Sequence, residues 1–373
     1  MTPRQREIYN AVQRLGSKTA AAKELQVDRK TIRRSYAAAE AWLNADEGII
    51  AALESTGLST DTGKHGWRRV QNKETGSWDS VFWKSEVSQD EVTPWADLFR
   101  EALGSVPEAL PALVPDNVSH DLLPRYIIAD VHFGMKAWAD ETGAEYSVEI
   151  AAQRLSEASA MLISAAPYTD RAIILNLGDT LHQNDSKNMT PTSGHILDVD
   201  GRFAQAAMAA VRAHVNMIEA AKAKHKNIDV VILAGNHDPD FTQMLAIALV
   251  FKYEADERVT VHFNPAKLWV WEFGRNMLTA HHGDKTKPDR IVMQAADVHA
   301  PIWGRTYWRY LDTGHIHQDS AKDIGGMFWE SHRAITTRDA AAAGFGYTGR
   351  STMKCITVHR ERGEVMRHTA AIG

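Results

Sequence analysis

The 373-residue chain is 44% hydrophobic and 24% charged, ordinary for a soluble globular protein and unlike a mostly disordered one. Its longest apolar run, Met244 to Phe251, is too short to span a bilayer, which excludes an integral membrane protein. The net charge of -5 argues against a uniformly basic nucleic-acid coat, yet residues 1–40 carry nine Lys/Arg and four Asp/Glu, a basic unit of +5 on an acidic remainder of -10.

Residues 3–43 read as helical. Ile8, Val12 and Leu15 recur at helical spacing, Gly16-Ser17 stops that helix, and Ser17 or Thr19 caps the next. A short helix, a tight turn near Gln26-Val27 and a longer helix after Asp28 follow. The pattern Ala22-x-x-Leu25-x-Val27, with Ile32 five residues on, resembles a helix-turn-helix core. Arg29, Lys30, Arg33 and Arg34 then project from the second helix as candidate DNA contacts. Gln26 stands where glycine is frequent, because the turn favours a left-handed backbone. A small helical bundle for protein contact is the competing reading.

Residues 46–64, rich in Gly, Ser and Thr, read as a linker. Trp67 to Lys84 has strand character with "KETGS" as a hairpin turn. Trp67, Trp78, Phe82 and Trp83 beside Arg68, Arg69 and Lys84 suit base stacking, but in so small a unit aromatics more often form the core. A helix from Trp95 to Leu103 precedes Pro107, Pro111 and Pro115, which argue for an extended connection. The expected division is therefore 1–45, a helix-turn-helix; 46–120, a linker with a hairpin; and 121–373, an α/β domain.

From Pro124 onward, apolar strand-like runs alternate with amphipathic stretches such as Ile150–Ala165 and Phe203–Ala223, the pattern of an α/β core. The runs are "RYIIAD", "RAIILNLGD", "IDVVILAGNHD", "NMLTAHHGD" and "YWRYLDTGHIH", and each ends in His, Asp or Asn. Ligands of open α/β sheets bind beyond the carboxyl ends of strands, so five such ends converge on one site. Carboxylate, imidazole and side-chain amide donors without thiolate suit a pair of divalent first-row metals better than a structural zinc. Residues two apart on a strand share a face, so Asp130 and His132 are expected to grip one metal, while His315 and His317 diverge at a strand end.

The ordered set "DVH", "GDTLH", "GNHD", "HHGD" and "GHIH" resembles the calcineurin-like metallophosphoesterase superfamily over roughly residues 124–320. "GDTLHQND" looks like the second motif of SbcD-type DNA double-strand-break nucleases, whereas "HGD" looks like the fourth motif of a lipid-precursor hydrolase family. The resemblance implies a two-sheet sandwich flanked by helices. It implies Asp130, His132 and His317 on a first metal, Asn236, His282 and His315 on a second, Asp179 bridging them, and His237 beside the scissile phosphate as the catalytic acid or hydrogen-bond donor. His281 is the alternative to His282, since neighbours on a strand point to opposite faces. Asp238 is a candidate to orient His237. The expected cofactors are two divalent ions, manganese first, with iron, zinc or magnesium as alternatives.

These implications converge on metal-dependent hydrolysis of DNA phosphodiester bonds, exo- or endonucleolytic. The alternative is a phosphatase or phosphodiesterase acting on a small nucleotide or other phosphate ester, with the N-terminal unit as a regulatory or partner-binding module. A third reading, a DNA-binding regulator with a purely structural phosphoesterase domain, leaves seven ligand-type side chains in register unexplained. DNA is the expected partner, an oligomer of identical chains is left open, and no membrane association is expected. The lone Cys355 excludes an intrachain disulfide, and with no secretory signal visible the expected location is the cytoplasm. His195, Asp200 and Arg202, in the loop after the second motif, are candidates for substrate contact or for capping. His65, His214, His225, His299 and His359 fit no motif and read as ordinary polar residues.

Overall fold

The computed structural model describes residues 3–36, the strands at 65–71 and 78–84, and 114–372 apart from 192, 264, 345 and 347. The expected linker at 46–64, the "KETGS" turn, the helix from Trp95 to Leu103 and the three prolines Pro107, Pro111 and Pro115 lie wholly or largely outside the described residues. The backbone contacts divide the chain into two units, Met1–Thr93 and Pro94–Gly373.

In the first unit, helix α1 (Pro3–Leu15), helix α2 (Lys18–Glu24) and a third helix, α3, over 29–36 enclose Ile8, Ala11, Val12, Ala21, Ala22, Ile32 and Tyr36. Ser17 caps α2 by accepting from the Ala20 N–H. Asp28 caps α3, its carboxylate accepting from the N–H groups of Lys30 and Thr31 at 2.9 Å each. Between the two helices Gln26 has φ of 51°, the left-handed conformation that glycine adopts more cheaply. Arg29, Lys30, Arg33 and Arg34 are all exposed, while Ile32 and Tyr36 of the same helix are buried. Strands β1 (His65–Gln71) and β2 (Trp78–Lys84) pair antiparallel.

The second unit is a two-sheet α/β sandwich. Its strands are β3 (Leu122–Ile128), β4 (Thr169–Asn176), β5 (His225–Ile232), β6 (Val259–His262), β7 (Trp269–Phe273), β8 (Asn276–His281), β9 (Trp308–Thr313), β10 (Ser320–Ile324), β11 (Met327–Ser331), β12 (Ser351–His359) and β13 (Gly363–Ile372). One sheet has the order β13-β12-β3-β4-β5-β6, the other β10-β11-β9-β8-β7. Strands β3 to β6 run parallel, as do β8, β9 and β11.

Period-two alternation explains why β3, β4 and β5 read as unbroken apolar runs: both of their faces are covered. Ile128, Ile174 and Val230 face helices α4 (Val148–Ala165), α5 (Phe203–Ala221) and α6 (Pro239–Tyr253), while Ile127, Ile173, Leu175 and Val231 face the second sheet. The outer face of that second sheet buries Met277, Leu311 and Trp329 beneath helix α7 (Pro288–Val298) through Ile291, Val292 and Ala295. The run Met244 to Phe251 lies inside α6, and no helix among the described residues is long and apolar enough to cross a membrane.

Candidate metal centre

The C-terminal ends of β3, β4, β5, β8 and β9 carry the candidate residues, and the fold brings those ends together. His132 Nε2 lies 3.3 Å from His317 Nε2 and 3.9 Å from Asp179 Oδ2. His317 Nε2 is 3.5 Å from Asp130 Oδ1. On the other side, His282 Nε2 is 3.3 Å from Asp179 Oδ2 and 2.9 Å from Asn236 Oδ1. Three donor groups result among the described residues, Asp130–His132–His317, Asp179–His282–His315 and His132–His182–His237, each with ligand atoms within 4.8 Å of one another; the first two hold the carboxylates and histidines assigned from the sequence as ligands. Asp179 Oδ2 stands between these two. All seven side chains assigned from the sequence thus meet in one place, and this donor chemistry fits divalent metal binding.

The backbone at these positions is unusual. Seven described non-glycine residues have positive φ, and five belong to the cluster: Asp130 at 49°, His132 at 51°, Asp179 at 49°, His315 at 69° and His317 at 54°. Such conformations cost about 1–3 kcal/mol each and persist where the surroundings over-determine them. This corrects the simple strand argument for Asp130 and His132. Both lie past the end of β3 in left-handed turns, so their convergence on His317 comes from the turns and not from a shared strand face. Two glycines permit the close approach. A Cβ at Gly235 would stand 2.0 Å from Asp179 Oδ1, and one at Gly314 would stand 2.6 Å from Asp130 Oδ2.

Hydrogen bonds fix how the rings face. The His282 Nδ1–H donates to the Leu177 carbonyl at 2.8 Å, leaving Nε2 turned to Asp179 and Asn236. His281 faces elsewhere: its Nδ1 accepts from the Gly283 N–H at 2.8 Å. Of the two neighbours, His282 is therefore the one that faces Asp179 and Asn236. Asp130 accepts from the His315 N–H at 3.0 Å, and Asp179 Oδ1 accepts from the His237 N–H at 2.8 Å.

His237 sits beside the cluster, its ring centroid 4.7 Å from that of His132. Its Nδ1–H donates to the His182 carbonyl at 2.7 Å. Asp238 does not orient it. That carboxylate is buried and accepts instead from the Leu181 N–H at 2.7 Å, tying the end of β5 to the loop after β4. His182, unassigned from the sequence, completes the constellation. Its Nδ1 is 3.3 Å from His132 Nδ1 and its ring stacks on His237 at 5.3 Å. The signal was its position three residues after Asp179 in "GDTLH".

Burial and charge set the protonation states. Burial, reinforced by the neighbouring His237, drives His132 well below the ordinary histidine range and His182 down to about 3, so both are neutral. Burial opposes charge on His282 too, but the Asp179 carboxylate overrides it and lifts the ring to about 10; Asp130 likewise lifts His317 against its burial. These carboxylates keep protons on the neighbouring imidazoles, in positions that a cation would take. A metal ion bound there would displace those protons, so its affinity would fall at low pH.

The remaining candidates separate cleanly. Asp200 accepts from the Val148 N–H at 2.8 Å at the start of α4, and Arg202 is the N-cap of α5, its N–H donating to Gln205 at 2.9 Å. Both cap helices. His195 is exposed in the loop. His214 and His225 are buried structural histidines, the first bonded to Asn176 and the Ala210 carbonyl, the second to Tyr126 and Thr169.

No family model matches the chain, and no curated protein matches it in sequence. Solved structures do resemble it. A dimetal phosphatase from Danio rerio is 10% identical, with 68% of this chain and 100% of that one covered at a TM-score of 0.37. An archaeal phosphodiesterase is 12% identical over 67% and 99% at 0.34. A predicted phosphoesterase of Streptococcus pneumoniae is 12% identical over 68% and 99% at 0.30. Likenesses of this size carry no argument about chemistry, which rests on the side chains themselves.

Proposed function

We propose that this protein is a divalent-metal-dependent phosphodiesterase that hydrolyses DNA. The observation that carries the reading is the meeting of Asp130, His132, Asp179, Asn236, His282, His315 and His317, with Asp179 Oδ2 3.9 Å from His132 Nε2 on one side and 3.3 Å from His282 Nε2 on the other. Asp130, His132 and His317 would hold one ion, Asn236, His282 and His315 the other, and Asp179 both. Bound as a pair, divalent ions neutralise a phosphoester and lower the pKa of a water toward neutrality; manganese is the first candidate.

The chain's own residues do the rest. Asp130 and Asp179 offset part of the ions' charge and leave the pocket cationic, suited to a phosphodiester. With Nδ1–H committed to the His182 carbonyl, His237 has only Nε2 for the substrate, where it donates a hydrogen bond or delivers a proton to the leaving oxygen. The neutral His182 and His132 pack against it and set its orientation.

The direct test is a substrate panel with added manganese: single-stranded DNA, duplex DNA, RNA and a chromogenic phosphodiester, each with and without chelator. Hydrolysis that survives excess chelator would refute the metal requirement. His237→Ala is expected to lower kcat by about 10²–10⁴-fold while the metal content stays near that of the wild type. Loss of an ion instead would make His237 a ligand.

DNA as the polymer is inferred from the N-terminal unit and the "GDTLHQND" likeness. Arg29, Lys30, Arg33 and Arg34 form an exposed basic face on α3 with no ion pair among the described residues. Deleting residues 1–45 should leave hydrolysis of a small chromogenic diester largely unchanged while weakening duplex binding. Each phosphate that the protein ceases to neutralise reduces the slope of log affinity against log salt by about 0.9, so Arg33→Ala with Arg34→Ala should lower it by about two. An unchanged slope would make the unit a protein-contact module. The second reading, a phosphodiesterase of small nucleotides, is favoured by a cavity of about 390 Å³ beside His315 and His317, large enough for a small ligand.

A further inference from the structure

A cavity of about 390 Å³ opens directly from the candidate metal centre. His315 and His317 form one wall, and Thr336, Thr337, Arg338, Gly349 and Arg350 form the other. The second wall comes from the segment between β11 and β12. It is held close to the first, since a Cβ on Gly349 would stand 3.1 Å from the His317 carbonyl oxygen.

The charge of this wall matters because the metal centre alone accounts for a single phosphoester. Arg338 is half-buried and anchored, one Nη2–H donating to the Thr142 carbonyl at 2.8 Å. Anchoring pre-organises its planar fork. Arg350 is exposed and has no ion-pair partner among the described residues. Within residues 332–350 the one carboxylate is Asp339, whose charge reaches His317, while Asp130 lies on the opposite side against His315 and His317. Two guanidinium groups against one carboxylate leave the wall cationic. A pocket that already borders two metal positions needs no such wall to hold one phosphate. Forked donors are the groups best matched to a further phosphate.

We propose that this cavity is a subsite for a second phosphate of the substrate, held by Arg350 and Arg338 beside the phosphoester at the metal centre. The inference rests on the phosphodiesterase reading above and sharpens it: the preferred substrate carries two phosphates one nucleoside apart. In a polynucleotide the second is the phosphate adjoining the scissile bond. Arg350 is then a specificity-determining residue.

The experiment uses the full-length, manganese-loaded chain and measures equilibrium binding of thymidine 3′,5′-bisphosphate and of the two thymidine monophosphates by calorimetry. The wild type should bind the bisphosphate at least about tenfold more tightly than either monophosphate, the effect of one charge-assisted contact. Arg350→Ala should remove that margin, and Arg350→Lys, which keeps the charge without the fork, should retain part of it. Equal affinities in the wild type, or a margin that survives in Arg350→Ala, would overturn the proposal. So would a monophosphate plus free inorganic phosphate matching the bisphosphate, since the site would then serve a separate anion. The margin without hydrolysis of any phosphodiester would sink the phosphodiesterase reading and leave the subsite standing. Hydrolysis without the margin would do the reverse.

Discussion

Replacing Asp179 with alanine is expected to remove metal-dependent hydrolysis, by about 10³-fold or more, and to lower the bound metal below two ions per chain. One side chain has this reach because Asp179 Oδ2 is the atom between the two donor groups, 3.9 Å from His132 Nε2 and 3.3 Å from His282 Nε2. Its other oxygen accepts from the His237 N–H at 2.8 Å, so the same change also frees the backbone that carries the proposed acid. If Asp179 is shared as proposed, its removal would deprive both ions of a ligand and leave their mutual repulsion less compensated. It also lets His282 fall back toward the ordinary histidine range, because Asp179 is what lifts that ring. Metal analysis and turnover should therefore fail together. A variant that retains two ions and wild-type rate would show that Asp179 bridges nothing.

The site residues were legible because each follows an apolar run, and a run of that length with both faces buried is a central strand ending at the functional edge. That logic brings Asp130, Asp179, Asn236, His282 and His315 to one end of the sandwich. It does not reach the left-handed turns, since no residue type at 130, 132, 179, 315 or 317 announces positive φ as glycine does. Nor could alternation on β8 choose between His281 and His282. It says that the two diverge, while the Leu177 carbonyl that fixes His282 lies 105 residues away. His182 was visible only as a spacing, and the spacing has no meaning until β4 and β5 place its carbonyl against His237. For the helices, periodicity and breakers sufficed: Ser17, one of the two candidate caps, caps α2, and the helix expected after Asp28 begins there. The flanking strands β10 and β11 and the C-terminal pair β12–β13 stayed out of view, their side chains being too mixed in polarity to stand out as apolar runs, and β7, though largely apolar, is only five residues long and ends in no ligand-type residue.

Least legible of all was a polar layer between the sheets. Where β3, β12 and β13 face β9 and β11, charged side chains replace the apolar contacts. Arg125 pairs with Asp312, and His332 Nε2 with Asp312 Oδ1 at 2.8 Å. Glu330 Oε1 accepts from Lys354 at 2.8 Å and from Arg367 at 2.6 Å. Arg125, Lys354 and Arg367 belong to one sheet, Asp312 and Glu330 to the other, so the pairs bridge the sandwich. Breaking a buried pair costs more than the pair contributes, because the surviving charge keeps its desolvation without its partner. Here, however, Lys354 keeps Asp319 at 2.8 Å and Arg367 keeps Glu364 at 2.8 and 2.9 Å, so Glu330→Gln removes charge-assisted hydrogen bonds without orphaning a cation and is expected to destabilise the protein by about 1.5–3 kcal/mol. At about 2–4 °C per kcal/mol for a domain of this size, the melting temperature at neutral pH falls by about 6 °C. The pH dependence has a definite sign. Burial alone would raise the Glu330 carboxyl, but Arg367, His332 and Lys354 bring it down from 4.5 to about 2. A carboxyl depressed on folding contributes its full stability above its unfolded value and loses it as pH falls through the folded one. The gap in melting temperature between wild type and Glu330→Gln should thus be constant above about pH 5 and narrow steadily from about pH 4.5 toward 2, as the wild type protonates the carboxylate the variant lacks. Calorimetric scans of both proteins across that range measure it, and a gap that widens on acidification would place the stabilising charge somewhere other than Glu330.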